Sequence, residues 1–275
     1  MSELEFRNVT VRFGRGRNAF TAVDNVSFAV PAGRIVGLVG ESGSGKSTVA
    51  RVAVGLCEPV AGSILLGGEE ISHARGAAAR LRRTVQMVFQ DPYACLDPRR
   101  TIGQSLAEAL ETAALRSRAR LTRSQSKERI AGLLQAVKLP PERAQDLPDT
   151  LSGGQRQRVA LARVLAAEPQ VILADEITSA LDVSVQGSVL NLLKALQGQM
   201  GFSMLFISHN LAVVRYLCDD VVVMKSGLIV EQGSSGKVLN NPSSDYTQQL
   251  LAAVPQIGRP LFESTQEPTF TIPVK

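Results

Sequence analysis

Eight consecutive residues, Gly40-Glu41-Ser42-Gly43-Ser44-Gly45-Lys46-Ser47, carry the sharpest chemical signal in the chain. They fit the phosphate-loop pattern GxxxxGK[ST], with an apolar strand-like run, Ile35–Val39, before them and a helix-forming stretch from Lys46 to about Gly55 after them. Glycines let successive backbone N–H groups curl around one anion. The N-terminus of the helix that follows adds partial positive charge at the same place. Lys46 is then expected to reach the β- and γ-phosphates of a nucleotide and Ser47 to ligate Mg²⁺, with Thr48 completing the run of nucleotide-binding candidates. A chance Gly/Ser loop would not bring a strand and a helix with it.

A second signal is Val171-Ile172-Leu173-Ala174-Asp175-Glu176, a β-branched run that ends in two carboxylates. Acids at the carboxyl end of a strand sit where open α/β folds bind ligands. Asp175 is expected to hold Mg²⁺, directly or through water, and Glu176 to orient and deprotonate an attacking water. Two acids at a strand end are by themselves an ordinary solvated pair. Beside a phosphate loop they point to Mg²⁺-assisted nucleotide hydrolysis. A third signal is Leu151-Ser152-Gly153-Gly154-Gln155. Ser152 followed three residues later by Gln155 is a helix capping box. Two glycines in a first helical turn are poor for helix stability, and they make sense if a phosphate must approach the backbone there.

These residues need a scaffold, and the hydrophobic pattern outlines one. Val11 with Phe13, and Val26 with Phe28 and Val30, alternate with period two; Pro31-Ala32-Gly33 reads as a turn. Ser63–Leu66, Val85–Phe89, Val171–Leu173 and Met204–Ile207 read as further strands, and Val221–Met224 and Leu228–Glu231 flank a Lys225-Ser226-Gly227 hairpin. Between Asp91 and Pro148 alternation gives way to helical patterns at Ile102–Leu115 and Lys127–Val137. Val185, Val189, Leu193 and Leu196 share one helix face that closes at Gly201. Alternating strands and helices predict a parallel α/β core, with an antiparallel N-terminal part and a helical insertion.

Bulk properties narrow the function classes. A net charge of +5 allows nucleic acid or an anionic membrane surface as partner, but the arginines at Arg75–Arg83 and Arg116–Arg129 lack the interleaved aromatics of a single-strand binder. Cys57, Cys95 and Cys218 form no CxxC pair, so neither a disulfide framework nor a zinc site is expected. The opening MSELEF has no secretory pattern, and the apolar runs are strand-sized. A membrane role would need a partner that spans the bilayer.

The phosphate loop together with Leu151-Ser152-Gly153-Gly154-Gln155 resembles the ABC ATPases, whose defining sequence is this LSGGQ, and the likeness extends across nearly the whole chain. It implies an α/β phosphate-loop NTPase core with an antiparallel β subdomain and a helical insertion, the ABC nucleotide-binding domain. Residues 1–253 would form that domain, with the helical part inserted at about 92–165, and 254–275 a C-terminal tail rich in Pro and Thr. It implies further roles. Gln90 matches a glutamine that touches Mg²⁺ and the attacking water and senses the transport partner. His209 matches a histidine on the γ-phosphate. Ser179-Ala180-Leu181-Asp182 matches a loop crossing between two subunits, and Phe13 the aromatic stacked on adenine, with Phe20 as its rival. Two such ATPase subunits, identical or homologous, would sandwich two ATPs. Each site would then pair one chain's phosphate loop with the other's Ser152-Gly153-Gly154-Gln155.

Within that family the chain is similar to the ATPases of peptide and nickel importers. The likeness rests on Gln86-Met87-Val88-Phe89-Gln90-Asp91-Pro92, Leu96-Asp97-Pro98-Arg99, Ser179 to Gln186, Leu205-Phe206-Ile207-Ser208-His209 and the late Asp245-Tyr246-Thr247. It implies permease subunits contacted near Tyr93, Leu96 and Arg99, indirectly a solute-binding protein, and a peripheral place at the cytoplasmic face of the bacterial inner membrane. Di- or oligopeptides are the first expectation for the cargo, nickel or a metal chelate the second. Asn210 replaces the usual Asp after the histidine, and Ile177 the usual Ala or Pro; neither position is hydrolytic. Nucleic-acid-linked relatives carry long coiled coils, zinc modules or a second cassette, and this sequence has none, so no nucleic-acid partner is expected.

Overall fold

The computed structural model describes residues 2–14, 16–91, 95–116, 118–179 and 182–253. The chain starts with two long antiparallel strands, β1 (Leu4–Phe13) and β2 (Phe20–Val30), and then enters β3 (Ile35–Val39) and α1 (Lys46–Ala53). β4 (Ala61–Leu66) and the short β5 (Glu69–Glu70) follow, then α2 (Gly76–Arg82) and β6 (Val85–Val88). A helical stretch holds α3 (Ile102–Arg116), α4 (Arg123–Ala136), two 3₁₀ turns and α5 (Gly153–Ala166). The rest is β7 (Val171–Asp175), α6 (Val183–Met200), β8 (Ser203–Ile207), α7 (Leu211–Leu217), β9 (Asp220–Lys225), β10 (Leu228–Ser234), α8 (Ser235–Asn240) and α9 (Asp245–Ala252).

Two sheets result. The smaller runs β2, β1, β4, β5 and is antiparallel. The larger runs β10, β9, β3, β8, β7, β6; its pairs are parallel except the β9–β10 hairpin at one edge. All five residues of β3, β7 and β8 are buried, as strands covered on both faces must be. Strand alternation divides their side chains between two cores. Val36, Leu38, Leu173, Leu205 and Met224 face the small sheet and α1, joining Leu4, Phe6, Ile64 and Val52. Val39, Ile172, Ala174, Phe206 and Val223 face the helices, joining Leu165, Leu193 and Val214 and, further out, Leu106, Leu110 and Leu134. α5 belongs to that second core along its length, which ties the helical stretch to the sheet.

Local chemistry sets most boundaries. α6 ends at Gly201, whose φ of 72° is left-handed, as expected from the sequence. The β9–β10 turn has positive φ at both Ser226 (48°) and Gly227 (83°), the twist that suits a two-residue hairpin. Some boundaries differ from the sequence reading. α4 starts four residues before Lys127, because Thr122 and Gln125 form a reciprocal capping box. β6 stops at Val88, one residue short. Much of the arginine-rich 75–83 stretch is a short helix, α2. α8 and α9 were not anticipated, since each has fewer than three turns of periodic pattern. The expected tail, 254–275, lies outside the described residues. Among the described residues no helix is long and apolar enough to cross a membrane.

The C-terminal helix is fastened by one carboxylate. Glu231 accepts from the Ser243 N–H (2.8 Å), the Ser243 hydroxyl (2.8 Å) and the Ser244 N–H (3.1 Å), just ahead of α9. Partial burial pushes the Glu231 pKa up, but these donations outweigh it and bring it down to about 2. A depressed acid stabilises the fold above its unfolded value and loses that contribution as pH falls towards 2. Glu231→Gln turns one acceptor into a donor facing these N–H groups. It is expected to cost about 1–3 kcal/mol at neutral pH, read as a lower urea midpoint with unchanged slope.

Candidate functional site

The loop after β3 is shaped by glycines and closes on a lysine. Gly40 has φ 151°, and a Cβ there would sit 2.1 Å from the Met224 carbonyl oxygen of β9, so no side chain fits. Gly45, at φ 104°, is the N-cap of α1, and a Cβ on it would meet the Ala22 carbonyl oxygen at 2.4 Å. The loop's outer side is tied to the C-terminal part of the chain. Gly227 N–H donates to the Ser44 carbonyl (3.0 Å), and Glu41 N–H donates to the Tyr246 hydroxyl (3.1 Å). Inside the curl, the Lys46 ammonium donates to the carbonyls of Gly40 (2.9 Å) and Glu41 (2.7 Å) and to Ser44 Oγ (3.3 Å). Lys46 is buried. That burial lowers its pKa, against the raising effect of Glu176, Asp175 and Glu41.

The carboxyl ends of β7 and β8 bring the acids to this loop. Ser47 Oγ donates to Asp175 Oδ1 at 3.2 Å, joining residues 128 apart in sequence. Burial raises the Asp175 pKa, and the Ser47 hydroxyl opposes it. Glu176 turns away from the strand in a left-handed conformation, φ 48°, strained for a residue with a side chain. Its N–H still bonds the Ile207 carbonyl (3.0 Å), so the turn is held to the sheet. His209 Nδ1 lies 3.3 Å from Glu176 Oε1, and the imidazole itself is exposed. Asn210 caps α7 through bonds from Ala212 and Val213 N–H (3.0 and 3.3 Å). Its amide does this work as an Asp would.

The residues fit both a nucleotide and Mg²⁺. Lys46 keeps three donors pointed at oxygens of its own loop, oxygens that phosphate could replace. A hydroxyl beside a carboxylate offers hard oxygen donors, the kind Mg²⁺ takes. Among the described residues no group of three or more His, Cys, Asp or Glu converges as a softer metal would require.

Other predicted residues sit around this centre. Gln90 is exposed, and its Nε2 donates to Ser179 Oγ (3.2 Å), while Ser179 Oγ donates to the Glu176 carbonyl (2.9 Å). The structure thus ties Gln90 to the Glu176 turn rather than to Ser47. Ala180 and Leu181 lie outside the described residues. Phe13 and Phe20 are direct cross-strand partners, and both are exposed. The two rivals for adenine stand side by side at one hairpin end. Ser152 and Gln155 form the expected capping box, with Gln155 N–H donating to Ser152 Oγ (3.3 Å) and Ser152 N–H to Gln155 Oε1 (3.0 Å). Ser152 and Gly153 are exposed. Gly154 has a reason the sequence reading missed: a Cβ there would come within 2.5 Å of Val185 Cγ1 on α6. Among the described residues, the side-chain bonds of Ser152 and Gln155 are to each other, and none reaches residues 40–48.

Comparison with known proteins gives the family. Residues 23–179 match the family model described as ABC transporter. The di/tripeptide transport ATP-binding protein DppF of Pseudomonas aeruginosa is 47% identical over 246 residues, 88% of this chain and 74% of that protein. The glutathione import ATP-binding protein GsiA of Salmonella paratyphi A is 48% identical over 88% of this chain, which spans 38% of that longer protein. Among solved structures, the ATP-binding cassette MJ0796, a dimer in a post-hydrolysis state bound to ADP and Pi, superposes with a TM-score of 0.74 at 29% identity, covering 84% of this chain and 98% of that one. CbiO1 of Clostridium perfringens, part of the transporter complex cbiONQ, gives 0.75 at 26% identity over 86% and 90%. Phosphate loop, paired acids and exposed Ser152 helix thus occur together in a chain that belongs to the ABC transporter family.

Proposed function

We propose that this chain is the ATP-hydrolysing subunit of a peptide importer, and that it works as one half of a pair of ATPase subunits. The observation that carries the reading is the convergence of Lys46, Ser47, Asp175 and Glu176 at the carboxyl edge of the large sheet. ATP is the substrate. The loop 40–48 and Lys46 receive its phosphates, Lys46 exchanging the carbonyls of Gly40 and Glu41 for phosphate oxygens. Phe13 or Phe20 stacks on the adenine. Ser47, Asp175 and Gln90 would hold Mg²⁺. Mg²⁺ supplies charge neutralisation on the phosphate oxygens. Glu176 accepts the proton of the water that attacks the γ-phosphorus, and the bond to the β,γ-bridging oxygen breaks to leave ADP and phosphate. His209, 3.3 Å from Glu176, orients that carboxylate and faces the γ-phosphate.

The exposed Ser152 N-cap suits a phosphate presented by another chain. The helix N-terminus offers oriented N–H groups, and among the described residues the Ser152 side chain bonds only within its own capping box. Permease subunits would dock in the groove between the large sheet and the helical stretch. That groove encloses about 840 Å³ and is lined by Leu56, Arg82, Phe89, Leu96, Arg100 and Arg163. Exposed Leu56 and Phe89 give it apolar contact area, and Phe89 adjoins Gln90, so a bound helix would be felt at the Glu176 turn. Arg99 lies exposed near it, and Tyr93 falls outside the described residues. The cargo class rests on the relatives named for di/tripeptide transport and for glutathione, itself a tripeptide. A solute-binding protein and a site at the cytoplasmic face of the inner membrane complete the proposal.

Three variants test the reading. Glu176→Gln should keep ATP binding and lower kcat by roughly 10²–10⁴-fold; turnover near the wild-type rate would remove Glu176 as the base. Asp175→Asn should leave the nucleotide-free chain at least as heat-stable as wild type. The raised pKa means that the ionised form is disfavoured by folding, so this acid withdraws stability as pH rises through its folded value. The same variant should lose the extra thermal stabilisation that Mg²⁺ adds to ATP, measured by melting with ATP alone and with ATP plus Mg²⁺. Ser152→Arg should bind ATP normally as a dilute monomer and fail to dimerise or hydrolyse. Loss of monomer binding would reduce Ser152 to a structural cap.

A further inference from the structure

The phosphate loop is gripped from its outer side by segments that lie far along the chain. Tyr246, on α9, is buried, and its hydroxyl accepts the Glu41 N–H at 3.1 Å across 205 residues of sequence. The Lys225 ammonium lies 4.6 Å from the centre of the Tyr246 ring, on the other side of the same helix–hairpin junction. α9 is fixed in turn by Glu231 on Ser243 and Ser244. The N–H that Tyr246 accepts belongs to the Gly40–Glu41 peptide, whose carbonyl, that of Gly40, accepts from Lys46 at 2.9 Å. One peptide unit therefore separates the Tyr246 hydroxyl from the phosphate-binding lysine.

We propose that Tyr246 is a positioning residue for nucleotide binding, and that through it the C-terminal helix sets the geometry of the phosphate loop. The inference rests on the loop 40–48 being the nucleotide site. When phosphate draws the Lys46 ammonium away from the Gly40 carbonyl, that carbonyl loses its only described donor. The peptide is then free to rotate unless something holds it. Gly40, immediately before, has a backbone that only glycine adopts readily, so it gives little resistance to rotation. The Tyr246 hydroxyl pins the N–H of Glu41 outward and keeps the loop open for the incoming phosphates. Gly227, bonded to the Ser44 carbonyl at 3.0 Å, provides the second fixed point. A purely space-filling tyrosine would need the ring and not the hydroxyl.

Tyr246→Phe separates these roles, because it keeps the ring and removes one oxygen. The full-length chain would be titrated with a fluorescent ATP analogue, alongside wild type and Lys46→Ala, with steady-state kinetics and denaturation of the nucleotide-free chain in parallel. The expected result is a Kd and a KM raised about 3- to 10-fold, with kcat held within about twofold, as loss of one hydrogen bond that shapes the bound state would give. A Kd within twofold of wild type, while Lys46→Ala binds more weakly, overturns the inference. So does a change confined to the denaturation midpoint. Wild type and Lys46→Ala binding the analogue equally would instead overturn the nucleotide site itself, and this inference with it.

Discussion

A buried ammonium group is the constraint on which the rest of this structure depends. Lys46 sits inside a curl of backbone with only carbonyl and hydroxyl oxygens as direct partners, and burial disfavours its charge. Such a group is costly to keep unless anions lie close by. The fold meets that need in two ways. It brings the carboxylates of Asp175 and Glu176 to the end of an adjacent strand pair, and it leaves the loop open to solvent at Glu41, Ser42 and Gly43. A polyanion entering there relieves the cost of burying that ammonium. Asp175 shows the mirror-image problem, its carboxylate raised in pKa by burial and opposed first by the Ser47 hydroxyl and then by the charges of Arg51 and Lys46. The pair is thus arranged for a charged ligand and its metal rather than for stability.

The architecture follows from holding these groups still. Strands β3, β7 and β8 are buried on both faces, so their carboxyl ends are fixed by two cores at once. The small antiparallel sheet closes one face and carries the exposed Phe13–Phe20 pair. The helices close the other and carry the Ser152 cap outward. Glu176 is the one site residue held in a strained backbone conformation, and the bonds from Ser179 and to Ile207 over-determine it. Because Gln90 bonds Ser179, a force on the groove beside Phe89 has a short route to that strained turn.

Much of this was legible in the sequence, where the signal was local. The phosphate loop, the strand ending in two acids, the capping box at Ser152 and the glycine closing α6 each depend on neighbours within a few residues. What escaped depends on distant partners. Nothing near Tyr246 says that its hydroxyl meets Glu41, and nothing near Gly154 says that Val185 lies against it. The sequence places Phe13 first on adenine and Phe20 as its rival, because the 14–18 stretch blurs the alignment, and the β1–β2 register sets the two opposite each other. The start of α4 is written in Thr122 and Gln125, a capping-box pair that lies ahead of the apolar spacing. The left-handed Glu176 has no sequence signature, since strain at a non-glycine residue is imposed by the surrounding fold.

In the proposed dimer one nucleotide is held between the loop around Lys46 in one chain and the Ser152 cap of another. Orthovanadate trapped with ADP and Mg²⁺ occupies the γ-phosphate position, and ultraviolet light then cuts the backbone that touches it. Peptide mapping of the irradiated chain reads which segments were in contact. Cuts are expected within residues 44–47 and also within 152–154, both dependent on Mg²⁺ and both absent at dilutions where the chain is monomeric. Cleavage at the phosphate loop alone, persisting in the monomer, would contradict it.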